Sequence, residues 1–176
     1  PNVFEKNKKI AIRNRAILEV LFSTGMRISE LINLKTSQVD RNGKIFILGK
    51  GKKERFVYLT ERAFVFLKKY LSQRGSDSTF VFVPYRGVNS AKRNNKISSR
   101  YIQERIKSYC NLLGINVPTS AHSLRHGFAT YLAESGANPA AIQILLGHES
   151  LDTTTRYVHA SDKYAQEIHK KFHPLK

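Results

Sequence analysis

His122-Ser123-Leu124-Arg125-His126-Gly127-Phe128-Ala129-Thr130 is the stretch from which the fold is read. Ser120 precedes it as a helix cap, and Ser135-Gly136 follows as a stop, so a helix is predicted from Ser120 to Ser135. On that helix His122 and Arg125 are three apart and share one face. His126, four from His122, lies on roughly the same face, while Leu124 turns toward the core. A polar, cationic face on a helix otherwise rich in apolar residues marks a packed domain that presents charge at one surface.

Working outward, the predicted elements are mostly helices. Ile10, Ile17, Leu18, Val20 and Leu21 recur among basic residues over 8–22, which suits an amphipathic helix ended by Gly25. A short helix follows near Arg27 and carries Leu31 and Leu34. The β-rich runs 44–48 and 55–59 flank Gly49-Lys50-Gly51-Lys52-Lys53-Glu54 and predict an antiparallel hairpin. Thr60 caps a helix over 61–73. Phe80 to Val83 is expected to be another short strand, and 84–97 a mobile polar loop. Ser98 or Ser99 opens a helix to Leu113. Asn138-Pro139 opens another that ends at Gly147. Ser150 and Ser161 are expected to cap two final helices. The fold class is therefore mainly α with a small antiparallel β-sheet (α+β). The chain is read as one domain, 1–176, with a core to about 158 and a tail over 159–176.

Charge narrows the function classes. The 176 residues carry 30 Lys and Arg against 13 Asp and Glu, a formal net charge of +17. That excess implies a polyanionic partner, nucleic acid first and an anionic membrane surface second. Arg41, Lys44, Lys50, Lys52, Lys53 and Arg55 face only Glu54 within 41–55. Arg86, Lys92, Arg93, Lys96, Arg100, Arg105 and Lys107 face only Glu104 within 86–107. Two nearly unopposed runs point to phosphate contacts rather than to an ordinary solvated face. Phe46, Phe56, Tyr58, Tyr85 and Tyr101 alternate like core residues and are not read as base-stacking platforms. No apolar run approaches the roughly 20 residues of a membrane span, and the N-terminus has no secretory apolar region. The single Cys110 fits a reducing interior and is read as a small buried apolar residue. The chain starts at Pro1 without an initiator Met and is expected to be a fragment with a segment missing upstream.

The titratable residues suggest phosphodiester chemistry. Arg27, in Thr24-Gly25-Met26-Arg27-Ile28-Ser29-Glu30-Leu31, and Arg125 are suited to grip phosphate oxygens, because a guanidinium fork is planar and permanently charged. His122 and His148, the latter after Leu146-Gly147, are hydrogen-bonding rings. Lys50 at a hairpin tip can deliver a proton, and Tyr157 offers a hydroxyl nucleophile that needs cationic neighbours to attack near neutrality. Each has a plainer reading. Arg27 could pair with Glu30, His148 could cap a helix end, Lys50 could be a surface lysine, and Tyr157 is one of eight tyrosines. His122 and His126 at i, i+4 resemble a metal pair, but Ser123 stands where the zinc motif needs Glu, so no metal is expected. Gly49-Lys50-Gly51 lacks the Walker A frame, and nucleotide hydrolysis has no support.

Taken together, the motifs resemble the catalytic domain of the tyrosine recombinases, the lambda-integrase-like family, and are most similar to its Xer-type members. The matching pieces are Thr-Gly-Met-Arg27-Ile-Ser-Glu-Leu, Gly-Lys50-Gly-Lys-Lys-Glu-Arg, His122-Ser-Leu-Arg125-His-Gly-Phe-Ala-Thr, Leu-Leu-Gly-His148 and Thr-Thr-Arg-Tyr157. All five stand in order over about residues 10–160. The resemblance implies that Arg27 and Arg125 clamp the scissile phosphate and that His122 and His148 complete the pocket. It implies that Lys50, with Lys52 and Lys53 as rivals, protonates the leaving 5′-hydroxyl, and that Tyr157 forms a 3′-phosphotyrosine. The bond energy is kept in that ester, so no cofactor and no metal is needed. DNA contacts are expected from Lys52, Lys53, Arg55, Arg86, Lys92, Arg93, Lys96 and His126. The implied partner is a double-stranded DNA recombination site, engaged as a homo-tetramer through a Holliday junction, with a possible accessory protein and a cytoplasmic, nucleoid-associated location. The tail, with Tyr164, Ala165, Ile168 and Phe172 at helical spacing, is expected to pack on a neighbouring protomer rather than in cis. The family's N-terminal DNA-clamping domain is expected to lie outside this chain, and weaker DNA binding and poor synapsis are then expected of the chain alone. Two alternatives stay open: a type IB topoisomerase or telomere resolvase, and a non-catalytic basic DNA-binding module.

Overall fold

The computed structural model describes residues 4–49, 54–85, 95–147 and 166–174. Helix α1 (Lys8–Thr24) is its axis. Asn7 caps it by accepting from the amides of Lys9 and Ile10, and Gly25 ends it in the left-handed region at φ 60°. It is buried on most of its circumference, so its apolar stripe is wide and polar residues go inside with it. Arg13 is one: its guanidinium lies 5.1 Å from the ring centre of Tyr85 and 4.7 Å from that of Tyr101, and donates to the Val83 carbonyl. Asn14 beside it donates to the hydroxyls of Tyr101 and Tyr109.

Around this axis lie α2 (Ile28–Asn33), a 3-10 turn (Thr36–Gln38), strands β1 (Lys44–Leu48) and β2 (Glu54–Tyr58), α3 (Glu61–Gln73), α4 (Ser99–Leu112), α5 (Ala121–Glu134) and α6 (Pro139–Leu146). Thr60, Ser98, Ser120 and Asn138 cap α3, α4, α5 and α6 with their side chains, as expected. The strands pair antiparallel with Ile45 opposite Val57 and Ile47 opposite Arg55. The alternation turns Ile45, Ile47, Arg55 and Val57 inward. Its outer face carries Phe46 against Phe56, ring centres 5.6 Å apart, with the Lys44 ammonium 3.7 Å from the Phe56 centre. These two aromatics are therefore an outer pair and not core, whereas Tyr58 is buried.

Two apolar clusters result. The larger joins α1, α2, the hairpin, α3 and α4. The smaller joins Tyr58, Phe128, Leu132, Leu145 and Leu146 with Ile168. The expected strand at Phe80–Val83 does not form. One isolated bridge, Lys35 to Phe80, is its sheet pairing. The Val81 amide donates to the Leu34 carbonyl and the Phe82 carbonyl accepts from the Ile97 amide, while side chains take others: Arg74 donates to the Phe80 and Val81 carbonyls, and the Val83 amide donates to the Tyr70 hydroxyl. The 86–94 part of the expected loop and the Ser150 and Ser161 caps lie outside the described residues.

Residues 166–172 are helical and pack against their own chain in this single-chain structure. Ile168 enters the smaller cluster. The His169 and His173 rings, 4.9 Å apart, lie against Phe128 and donate from Nε2 to the carbonyls of Ser23 and Phe22. Those carbonyls are among the last of α1, which have no partner within the helix. Tyr164 and Ala165 lie outside the described residues. Burial pushes His169 down to about 4, the Ser23 hydrogen bond opposing it, and burial lowers His173 as well. Both rings are thus neutral when folded and take up protons more readily when unfolded. Their contribution is complete above about pH 6.5 and is lost as pH falls toward 4. Thermal melts should show the melting temperature dropping across that window. A variant with His169→Phe should have a shallower drop.

Candidate active site

Arg27, Glu30, Lys35, Phe46, His122 and Arg125 line one open cleft of about 1010 Å³. Three of the residues singled out for phosphate chemistry, distant in sequence, therefore meet. Arg27 stands at the N-terminus of α2, where Gly25 has ended α1. His122 and Arg125 come from one face of α5, as their spacing predicts. His122 is exposed at the rim and Arg125 is buried.

The guanidiniums are held by backbone carbonyls. Arg125 donates from Nη1 to the Gly25 carbonyl and from Nη2 to that of Leu146, both at 2.7 Å. Arg27 donates from Nη2 to the Gly147 carbonyl at 3.1 Å. Arg55 donates from Nε to the Leu145 carbonyl at 3.1 Å. Three successive carbonyls at the end of α6 thus each receive one arginine. The negative end of a helix dipole favours that placement. Gly147 ends α6 at φ 65°.

Glu30 supplies the counter-charge. Arg55 meets it fork to fork, Nη1 to Oε1 at 2.9 Å and Nη2 to Oε2 at 2.7 Å. Arg27 adds its amide to Oε2 at 2.7 Å and Nη1 to Oε1 at 3.2 Å. Burial opposes the Glu30 charge, but the Arg55 hydrogen bonds and charge outweigh it and hold the carboxyl below its usual range. The plainer reading of Arg27 is therefore realised without removing it from the cleft, since its side chain remains 40% exposed. Arg125 has no carboxylate in ion-pair contact among the described residues. Burial, then the charges of Arg27 and Arg55, pull it down to about 10. It stays protonated at neutrality, and among the described residues the pocket carries uncompensated positive charge.

Arg55, expected from the sequence to contact DNA, is 9% exposed and its fork is occupied by Glu30. The signal lay in strand parity, because Arg55 shares its face with Val57. Lys96 is exposed and donates to the Asn33 side chain. His126 is exposed on α5 outside the cleft lining. Arg100 in the second basic run pairs with Glu104 on the α4 surface, so that run is partly neutralised locally. Lys50, Lys52, Lys53, Arg86, Lys92, Arg93, His148 and Tyr157 lie outside the described residues. Gly49, next to Lys50, lines the cleft. No cluster of metal-ligating residues occurs among the described residues, nor a helix long and apolar enough to cross a membrane.

The phage integrase family profile matches residues 2–164. The chain belongs to the phage integrase family. It is 38% identical over 174 residues to the tyrosine recombinase XerD of Pseudomonas putida, covering 94% of this chain and 55% of that protein. It is 39% identical over 173 residues to the tyrosine recombinase XerC of Thermodesulfovibrio yellowstonii, covering 93% and 55%. The crystal structure of XerA recombinase superposes with TM-score 0.70 at 34% identity, over 94% of this chain and 58% of that one. The XerH site-specific recombinase bound to its difH substrate, a pre-cleavage complex, superposes with TM-score 0.71 at 28% identity, over 93% and 45%. The chain thus spans about half the length of the curated relatives it matches. The mainly helical fold with a two-stranded sheet is that of integrase-family catalytic domains.

Within this integrase-family pocket, Gly25 has a steric role that the sequence suggested only as a helix break. A Cβ there would lie 2.5 Å from Phe128 Cδ1 and 2.8 Å from Cε1, at a backbone angle that L side chains avoid. Gly25→Ala should destabilise the domain by roughly 2–4 kcal/mol, from overpacking plus the left-handed conformation. Denaturant unfolding would show it. A change below about 0.5 kcal/mol, the level of neutral surface substitutions, would contradict the close packing.

Proposed function

We propose that the chain is the catalytic half of a site-specific DNA recombinase that breaks and rejoins strands through a 3′-phosphotyrosine. The observation that carries this is the cleft in which Arg27, His122 and Arg125 converge around excess positive charge. Arg27 and Arg125 neutralise the non-bridging oxygens as the phosphorane forms, and His122 donates a hydrogen bond from the rim. Tyr157 attacks in line, Lys50 gives a proton to the leaving 5′-oxygen, and His148 completes the pocket. Rejoining reverses these steps with the 5′-hydroxyl of another strand. The ester conserves the bond energy, so the reaction runs without a nucleotide cofactor or a metal.

Lys52, Lys53, Arg86, Lys92, Arg93, Lys96 and His126 contact the DNA backbone and rim, and a further DNA-clamping segment belongs to the complete enzyme. Four protomers act on two sites through a Holliday junction, with room for an accessory protein. The tail seats in cis in the single chain, and exchange within the tetramer would place a neighbour's Ile168 in the same seat. The XerH–difH complex supports DNA as the substrate. The enzyme works in the cytoplasm, on the nucleoid.

The test is strand exchange by the natural full-length protein on two duplexes carrying a site selected from a random-sequence pool, in EDTA and without nucleotide. Recombinant duplexes and a Holliday intermediate are expected. Relaxation of supercoils without exchange would support the topoisomerase alternative, and binding without cleavage the DNA-binding module.

A further inference from the structure

We infer that Arg55 is a positioning residue that sets the orientation of the Arg27 guanidinium through Glu30 and the end of α6. The inference rests on the proposed phosphodiester chemistry and deepens it. Arg27 has two partners on the walls of its site: Glu30 Oε1 at 3.2 Å for Nη1 and the Gly147 carbonyl at 3.1 Å for Nη2. Arg55 pins both. Its fork engages both oxygens of Glu30, at 2.9 and 2.7 Å. Its Nε holds the Leu145 carbonyl at 3.1 Å, two residues before Gly147. Gly147 itself lies flat on the Arg55 side chain, so closely that a Cβ would come within 3.0–3.1 Å of Cδ, Nε and Nη1.

The consequence is geometric. A guanidinium has five N–H donors in a fixed plane. With one Nη1 hydrogen on Glu30 and one Nη2 hydrogen on Gly147, the plane of Arg27 is fixed and its other donors are left for the cleft. If Glu30 turned or α6 shifted, that plane would turn with it, and the oxyanion donors would miss the phosphate. Arg55 joins β2 to α2 through Glu30 and to α6 through the Leu145 carbonyl, and so ties together three elements around Arg27. Lysine cannot replace it, because a point charge neither grips two carboxylate oxygens nor reaches Leu145 at the same time. Arg55 is not itself a phosphate contact: its side chain is 7% exposed.

The test compares Arg55→Lys with wild type in the full-length protein. Nicked suicide duplexes carry either an ordinary scissile phosphate or a methylphosphonate, which removes one negative oxygen and with it much of the need for the arginines. Single-turnover covalent complex formation and DNA affinity at two salt concentrations are measured. Arg55→Lys is expected to cleave the charged phosphate about 100-fold more slowly, the usual effect of a small misplacement of reacting groups. On the methylphosphonate the defect should shrink below about threefold, with affinity and its salt slope unchanged.

Equal losses on both substrates would make Arg55 a purely structural residue, and a reduced salt slope would make it a phosphate contact. Either result, or an unchanged rate, overturns the inference. Should Arg55→Lys fail to fold, the paired Arg55→Met and Glu30→Met variant restores packing without a buried lone charge. It should show the same selective loss on the charged phosphate, and equal losses would again overturn the inference. A wild-type protein that forms covalent complex on neither substrate would instead overturn the phosphodiester reading.

Discussion

Arg125→Ala is expected to slow covalent complex formation by about 10²–10³-fold, the usual effect of losing one preorganised donor to a developing oxyanion. DNA affinity at low salt should fall much less, because one phosphate contact among many is removed. The reason lies in how Arg125 is held. It is buried, its Nη1 and Nη2 are each fixed by a carbonyl at 2.7 Å, and among the described residues no carboxylate pairs with it. Its charge is therefore available to a phosphate without first breaking an ion pair. The same burial gives the substitution a structural cost. The Gly25 and Leu146 carbonyls lose their donor, which costs about 1–3 kcal/mol for a group left unsatisfied. Unfolding and cleavage should be measured on the same preparation. A variant that stays folded at the assay temperature yet cleaves at the wild-type rate would remove Arg125 from the chemistry.

The second large effect concerns Lys50. Lys50→Ala should reduce cleavage by about 10²–10⁴-fold, the range for loss of a positioned general acid. A substrate with sulfur in place of the 5′-bridging oxygen should restore most of that rate, because a thiolate leaves without a proton. β1 ends at Leu48, β2 begins at Glu54, and Gly49, the residue before Lys50 in sequence, lines the cleft. If Lys50→Ala is not rescued, or if Lys52→Ala or Lys53→Ala shows the rescued defect instead, the acid has been assigned to the wrong lysine.

Much of this arrangement was legible in the sequence because it rests on local chemistry. Ser120, Asn138-Pro139 and Gly147 announce where α5 and α6 begin and end, and the three-residue spacing of His122 and Arg125 places both toward the cleft. What escaped depends on contacts between distant segments. Phe80–Val83 has strand-like composition, but it forms only an isolated bridge to Lys35, and Arg74, Arg13 and Tyr70 supply several of the hydrogen bonds that a neighbouring strand would have made. Arg55 sits in a basic run and reads as a surface cation. Only the register that puts it opposite Ile47, on the inner face of the hairpin, turns it toward Glu30. Glu30 itself is visible as a neighbour of Arg27, but not as the carboxylate that two arginines share. His169 and His173 carry no signal in a basic tail. Their role exists because α1 ends where its Phe22 and Ser23 carbonyls need donors.

The most direct test of the central claim is to locate the covalent link. Full-length protein would be trapped on a nicked suicide duplex in EDTA and digested with nuclease and protease, and its peptides sequenced by mass spectrometry. The expected result is a nucleotide joined through a 3′-phosphate to Tyr157, absent from the Tyr157→Phe variant, which still binds DNA. A nucleotide on any other residue, or cleavage that leaves no adduct, would contradict a tyrosine-linked mechanism in this pocket.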